Sequence, residues 1–238
     1  MVNCLKRLNF AEINCKASIL VKGLPETESI KIGCFGYFVE KDGKKIIIDT
    51  GIEDISTVNL TKSSTDDWMR GEAGMCITDN LKNIGVSPEE IDEVFLTHSH
   101  YDHISGVCNF KNARIHISKS EYDYLQLKTN PHNKFLGDVI EFLTKKNSSG
   151  NLNLIDQEYS DGNITCKVIG GHTVGSMLVI IDEFLFTGDS IFLLDSIEKN
   201  LPIGFSNEEE NSLKALEICR KHKGIILTGH DFNCIDSL

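Results

Sequence analysis

Thr97-His98-Ser99-His100-Tyr101-Asp102-His103 follows directly on the apolar run Val94-Phe95-Leu96. Three imidazoles and a carboxylate fall within the six residues from His98 to His103. Alternation along the end of a strand aims His98 and His100 to one side. Asp102 and His103 fall where the chain turns, so their side chains are free to point elsewhere. Histidine nitrogens and carboxylate oxygens are what borderline divalent cations such as zinc take as ligands. The spacing suits two ions side by side better than one. The competing reading is an exposed polar loop that happens to be rich in histidine.

Working outward, the run before this stretch reads as a buried strand that delivers the loop. The segment ahead of it supplies a helix: Ile77, Leu81 and Ile84 are spaced three or four apart, and Gly85 closes the turn. Ser87-Pro88-Glu89-Glu90 starts a short helical turn with Ser87 as its cap. A strand–loop–helix order of this kind puts side chains at the carboxyl end of a strand, where α/β sheets usually carry their sites.

Further upstream, Ile30-Lys31-Ile32 and Phe35 to Val39 read as strand, and Asp42-Gly43 forms a hairpin turn. The returning strand, Lys45 to Asp49, is largely β-branched and therefore buried. Residues 52 to 72 are polar and irregular and hold Trp68, the only tryptophan. Downstream, Ile115 to Ser118 reads as a strand, Glu121 to Leu127 as a helix capped by Ser118, and Phe135 to Leu143 as another helix. Leu152 to Ile155 and Ile164 to Ile169 are strands. Met177 to Ile181 and Phe184 to Phe186 form a hairpin around Asp182-Glu183. Glu208 to His222 has apolar residues at helical spacing, and Ile225-Ile226-Leu227 is a closing strand. His116 and His132 are expected in surface or satisfied structural roles.

The chain has 238 residues, 40% hydrophobic and 25% charged, which is ordinary for a soluble globular α/β domain. A net charge of -11 speaks against a nucleic-acid partner, since phosphate backbones need clustered Lys and Arg, and against an anionic membrane surface. No apolar run approaches a bilayer crossing. The first seven residues lack the apolar core of a secretion signal. Eight cysteines are scattered without a Cys-x-x-Cys pair, which reads as reduced thiols in a cytoplasmic protein.

Four more stretches occur in order: Ile46-Ile47-Ile48-Asp49-Thr50-Gly51, Gly171-His172-Thr173-Val174-Gly175-Ser176, Phe186-Thr187-Gly188-Asp189-Ser190 and Thr228-Gly229-His230-Asp231. Together with the His-x-His-x-Asp-His stretch they resemble the metallo-β-lactamase superfamily over nearly the whole chain. The layout is nearest to its acyl-homoserine lactonase-like and glyoxalase II-like groups.

The resemblance implies a single domain over residues 1–238. Its fold class is α/β: a four-layer αβ/βα sandwich, with two mixed β-sheets face to face and helices outside. His98, His100 and His172 would hold one divalent cation, Asp102, His103 and His230 the other, and Asp189 would bridge them. Asp102 is also the candidate catalytic residue, and Asp49 would hold the ligand loop in place from behind. Zinc is the expected metal, with manganese or iron as alternatives.

A pair of cations lowers the pKa of a shared water, so the implied reaction is attack by a bridging hydroxide on the carbonyl of a lactone, ester or thioester. Two alternatives use the same fold: a phosphodiesterase acting on a small nucleotide, and an iron-dependent oxygenase or redox protein. His100 stands where the diiron oxygen reductases of this fold carry Glu, which weakens the redox alternative. The lactonases commonly carry a tyrosine three residues after the bridging Asp. Here that residue is Phe192, which cannot donate a hydrogen bond, leaving Tyr101 and Ser190 as candidate hydroxyls. Trp68, Phe192 and Phe205 are the candidate pocket residues for a small-molecule substrate. A homodimer is left open.

Overall fold

The computed structural model describes residues 1–54, 71–127, 129, 135–162 and 164–237, with the side chains of 71–73 excepted. Trp68 and His132 lie outside the described residues.

Two mixed sheets carry the fold. In the first, strands β1 (Val2–Lys16), β2 (Ser29–Lys41), β3 (Lys44–Ile48), β4 (Gly71–Ala73), β5 (Glu93–Phe95), β6 (Arg114–Ser118) and β7 (Leu152–Ile155) lie in the order β4-β1-β2-β3-β5-β6-β7. The β4 to β3 portion is antiparallel and the β3 to β7 portion parallel. In the second, β8 (Glu158–Asp161), β9 (Ile164–Val168), β10 (Met177–Ile181), β11 (Phe184–Phe186) and β12 (Ile225–Leu227) lie in the order β12-β11-β10-β9-β8. Here only β11 and β12 run parallel. At the β2–β3 turn, Asp42 and Gly43 both have positive φ, 51° and 80°, the geometry that makes Asp-Gly a good hairpin pair.

Side-chain alternation on the strands sorts the core into layers. Ile46 and Ile48 of β3 face inward with Tyr37, Val39 and Phe95, against Val179, Ile181, Phe184, Phe186 and Leu227 of the second sheet. Ile47, between them, points the other way with Val94 and Ile115. There it meets helices α2 (Ile77–Asn83), α4 (Lys119–Leu125) and α5 (Gly137–Ser148) through Leu81, Leu125 and Leu143. On the far side of the second sheet, Leu178 and Leu185 pack on Leu216 and Cys219 of α7 (Glu209–Lys221). Apolar burial on both faces of both sheets gives the helix–sheet–sheet–helix sandwich expected from the sequence.

Local differences from the sequence reading are modest. Ile30–Ile32 and Phe35–Val39 belong to one continuous β2. The helix expected at Phe135–Leu143 begins at Gly137 and runs on to Ser148. Two short helices, α1 (Ala17–Leu20) and α6 (Leu194–Lys199), and the strand β8 had no periodic signal. His116 is fully buried, stacked 4.1 Å from Phe95, with Glu93 and Asn153 at its ring nitrogens. Among the described residues no helix is long and apolar enough to cross a membrane.

Phe186 is 1% exposed between the sheets, its ring 5.2 Å from that of Tyr37. Phe186→Ala is expected to destabilise the fold by about 3–5 kcal/mol, read as a lowered urea midpoint at unchanged slope.

Candidate metal centre

Five loops leave their strands at one end of the sandwich and converge. β3 ends at Asp49. β5 leads into His98 and His100, then into α3 (Tyr101–Ile104), which carries Asp102 and His103. From the second sheet, β9 leads to His172, β11 to Asp189 and β12 to His230. The bend before His172 puts Gly171 at φ 96°, with Ser212 N where a Cβ would lie within 2.9 Å. Gly188, at φ 49°, lets the chain pass so close to Thr97 that a Cβ would sit 2.3 Å from its Oγ1.

The structure brings all seven sequence-predicted ligand residues together, in two sets of inward-pointing atoms. In one, His172 Nε2 and His98 Nε2 lie 2.9 and 3.1 Å from His100 Nδ1, and 3.2 and 3.6 Å from Asp189 Oδ2. In the other, His103 Nε2 and His230 Nε2 lie 3.1 and 2.9 Å from Asp189 Oδ1 and both 3.7 Å from Asp102 Oδ2. Asp189 therefore gives one oxygen to each set.

The outward faces of the rings set their tautomers. His103 Nδ1 faces Asp49 Oδ2 at 2.8 Å, His230 Nδ1 the Gly33 carbonyl at 2.6 Å, and His172 Nδ1 the Phe205 carbonyl at 3.1 Å. Acceptors at Nδ1 put the proton there and leave Nε2 with its lone pair turned inward. Asp49 also accepts from Thr97 N at 2.8 Å and Thr97 Oγ1 at 2.7 Å. It caps the loop and orients His103 at once, and does so with φ at 57°, a conformation Asp tolerates better than most residues.

Lone pairs facing one another at these distances repel unless something positive lies between them. Asp189 Oδ1 is buried and has no hydrogen bond among the described residues, although two Nε2 atoms lie within 3.1 Å of it. A cation fits this donor set. With metal–ligand bonds of about 2.0–2.1 Å, donors at the corners of a tetrahedron stand about 3.3–3.4 Å apart, close to the spacings above. Protons are the other way to relieve the repulsion. Burial opposes charge on His103 and His230, yet the Asp189 carboxylate raises both well above the usual imidazole range. Burial alone would raise Asp189 too, but His230, His103, His98 and His172 hold it well below the usual carboxylate range. His98 goes the opposite way, lowered first by burial and then by the charge of His103.

Two residues beside the cluster escaped the sequence reading. Glu121, on α4 and fully buried, accepts from Ser99 N at 3.0 Å, Thr173 Oγ1 at 2.8 Å and Gly175 N at 2.9 Å, and also from Ser99 Oγ. One carboxylate thus ties the His98–His103 loop to the His172 loop. Its only sequence signal, Ser118-x-x-Glu121, reads as a capping box, and Ser118 Oγ does accept from Glu121 N at 3.2 Å. The second is Cys34 of β2, 1% exposed, whose Sγ is 3.9 Å from Asp102 Oδ2. Burial, only partly offset by His230, pushes its thiol up to about 11.

Of the pocket candidates, Phe192 is buried with its ring 5.4 Å from both His172 and His230. Phe205 is 48% exposed, 5.6 Å from His172 and 6.4 Å from His100. The Tyr101 hydroxyl reaches the Asp54 carbonyl at 3.4 Å. Ser190 Oγ is buried without a partner among the described residues.

The profile of the Metallo-beta-lactamase superfamily matches residues 31–230. A probable metallo-hydrolase of Methanocaldococcus jannaschii is 27% identical over 186 residues, covering 78% of this chain and 70% of the relative. An N-acyl homoserine lactonase of Bacillus sp is 27% identical over 221 residues, covering 86% of this chain and 83% of the relative. Among solved structures, an N-acyl homoserine lactone hydrolase with the product N-hexanoyl-L-homoserine bound at its catalytic metal centre superposes with a TM-score of 0.78 at 20% identity, covering 98% of this chain and 94% of that one.

Two outcomes are expected. Glu121→Gln should weaken metal retention by about 10–100-fold, measured by competition with a chromophoric chelator. For the protonation states, the sign is set by His103 and His230: a raised pKa keeps them protonated at neutral pH in chelated protein. Zinc uptake should then release on the order of one or two protons and tighten as pH rises. Calorimetry in two buffers of different ionisation enthalpy measures that release.

Proposed function

Because the chain belongs to the metallo-β-lactamase superfamily and is a metal-dependent hydrolase, we propose that it acts as a binuclear zinc enzyme that opens a lactone, ester or thioester. We place its working unit in one domain over residues 1–238. The observation that carries this reading is Asp189, which turns one oxygen to His98, His100 and His172 and the other to His103 and His230. When bound, two divalent cations would supply Lewis-acid polarisation of a carbonyl and would lower the pKa of a bound water.

The chain's own residues do the rest. Asp49 and Glu121 fix the ligand loops from behind, so the geometry is set before substrate arrives. Asp49 is committed to Thr97 and His103, and Asp189 is wedged among imidazoles. Asp102 is the remaining carboxylate of the cluster, at 8% exposure its most accessible one. Its Oδ2, 3.7 Å from the Nε2 atoms of His103 and His230, would be a ligand at that end, and its other oxygen would in this reading carry a proton to the departing oxygen or sulfur. Phe192 and Phe205 give the entrance an apolar wall, which suits a small substrate with an aliphatic or acyl portion. A carbonyl substrate is favoured by the likeness to lactonases over more than four-fifths of the chain. With no donor at Phe192, a lactonase-type hydrogen bond from that position is missing, and the Ser190 hydroxyl is the nearest in sequence to replace it.

The test is elemental analysis of protein purified without added metal, then a panel of lactones, thioesters and bis-nitrophenyl phosphate. About two zinc ions per chain and turnover of a carbonyl substrate are expected. His103→Ala should cut kcat by about 100-fold or more. Unchanged turnover in that variant would sink the two-metal reading, and activity on the phosphodiester alone would move the enzyme to another substrate class.

A further inference from the structure

We propose that Cys34 is a sulfur ligand in this centre, joining Asp102 and His230 on the cation held at the Asp102–His103–His230 end. The inference rests on the binuclear reading above and gives its two ends different chemistry.

Cys34 Sγ, a carboxylate oxygen of Asp102 and a ring nitrogen of His230 all lie within 4.8 Å of one another, and all three residues are buried. A zinc ion with bonds of about 2.3 Å to sulfur and 2.0 Å to oxygen separates those atoms by about 3.5 Å in a regular tetrahedron and about 4.3 Å when they are trans. The Sγ–Oδ2 distance of 3.9 Å falls between. The position is held on both sides. Gly33 N donates to the His230 carbonyl at 3.1 Å and Phe35 N to the Gly229 carbonyl at 2.8 Å, while His230 Nδ1 returns a bond to Gly33 O at 2.6 Å. The peptides flanking Cys34 are thus fastened to the loop that carries His230. Independently, the buried Asp189 Oδ1, without a hydrogen bond among the described residues, points to a cation at this end.

Ligation exchanges the S–H bond for a sulfur–metal bond and releases the proton to solvent, with no change of oxidation state. The competing view is that Cys34 is a small apolar side chain of the core cluster that also holds Leu8, Phe10 and Phe38. The two views differ in metal preference. A thiolate makes this end softer than the other, where three imidazoles and an Asp189 oxygen face inward, and so biases it toward zinc, cobalt and cadmium over manganese.

The experiment is zinc-edge X-ray absorption on the full chain loaded with two zinc ions, with cobalt(II)-loaded protein in parallel. The expected result is one sulfur at about 2.3 Å for every two zinc ions, together with an intense near-ultraviolet thiolate-to-cobalt band. Cys34→Ser, which keeps the volume, should lose both signals and bind its second cation about 10-fold or more weakly. Two bound ions with only nitrogen and oxygen around them would overturn the inference and leave the binuclear reading standing. So would a sulfur signal that survives in Cys34→Ser. Failure of the wild-type chain to take up any zinc would overturn both.

Discussion

The Asp189 carboxylate, surrounded by the inward nitrogens of His98, His172, His103 and His230, is the constraint on which the rest of the structure depends. A buried carboxylate costs several kcal/mol unless it is paired. Neutral imidazoles with their lone pairs turned inward cannot pair it. Positive charge has to come from protons or from cations, and the surrounding shell decides which. Asp49, Gly33 and Phe205 each present an oxygen to an outward Nδ1. That fixes the rings in the tautomer a metal needs and makes protonation at Nε2 the substitute. The backbone bends to make this arrangement possible, with Asp49 held at positive φ and Gly188 taking the same region free of a side chain.

Much of this was legible in the sequence because the chemistry is local there. His98, His100, Asp102 and His103 share one loop, and the apolar strands before Asp49, Asp189 and His230 announce where each side chain emerges. The two-sheet layout followed from resemblance, and the alternation of Ile46, Ile47 and Ile48 between two cores gives its physical basis. Glu121 and Cys34 were illegible for the opposite reason. Glu121 sits in the first turn of a helix where an acidic residue is expected anyway, and its partners Ser99, Thr173 and Gly175 are distant in sequence. Cys34 lies inside a strand among apolar neighbours, and only the pairing of β2 with the His230 loop brings its sulfur to Asp102.

The apolar contacts around the centre give Phe192 a definite place. Its ring stands equally far from His172 and His230, one residue from each cluster, so it covers the line between them. A hydroxylated ring there could hold a substrate oxygen. A plain phenyl, here 4% exposed, instead keeps water away from the two rings it touches. The same face continues outward to Phe205, whose backbone carbonyl orients His172 while its ring stays open to solvent.

The contributors to the cluster are split between the sheets: Asp49 and the His98–His103 loop come from the first, His172, Asp189 and His230 from the second. Tyr37 of β2 adds a bond to the Thr228 carbonyl at 2.7 Å. Whatever occupies the middle therefore acts as a rivet through the sandwich. Ligand binding stabilises only the state that holds the ligand, so slippage of one sheet over the other is resisted in proportion to how tightly the rivet is gripped. The spacing that suits the chemistry and the alignment of the two halves are one mechanical quantity.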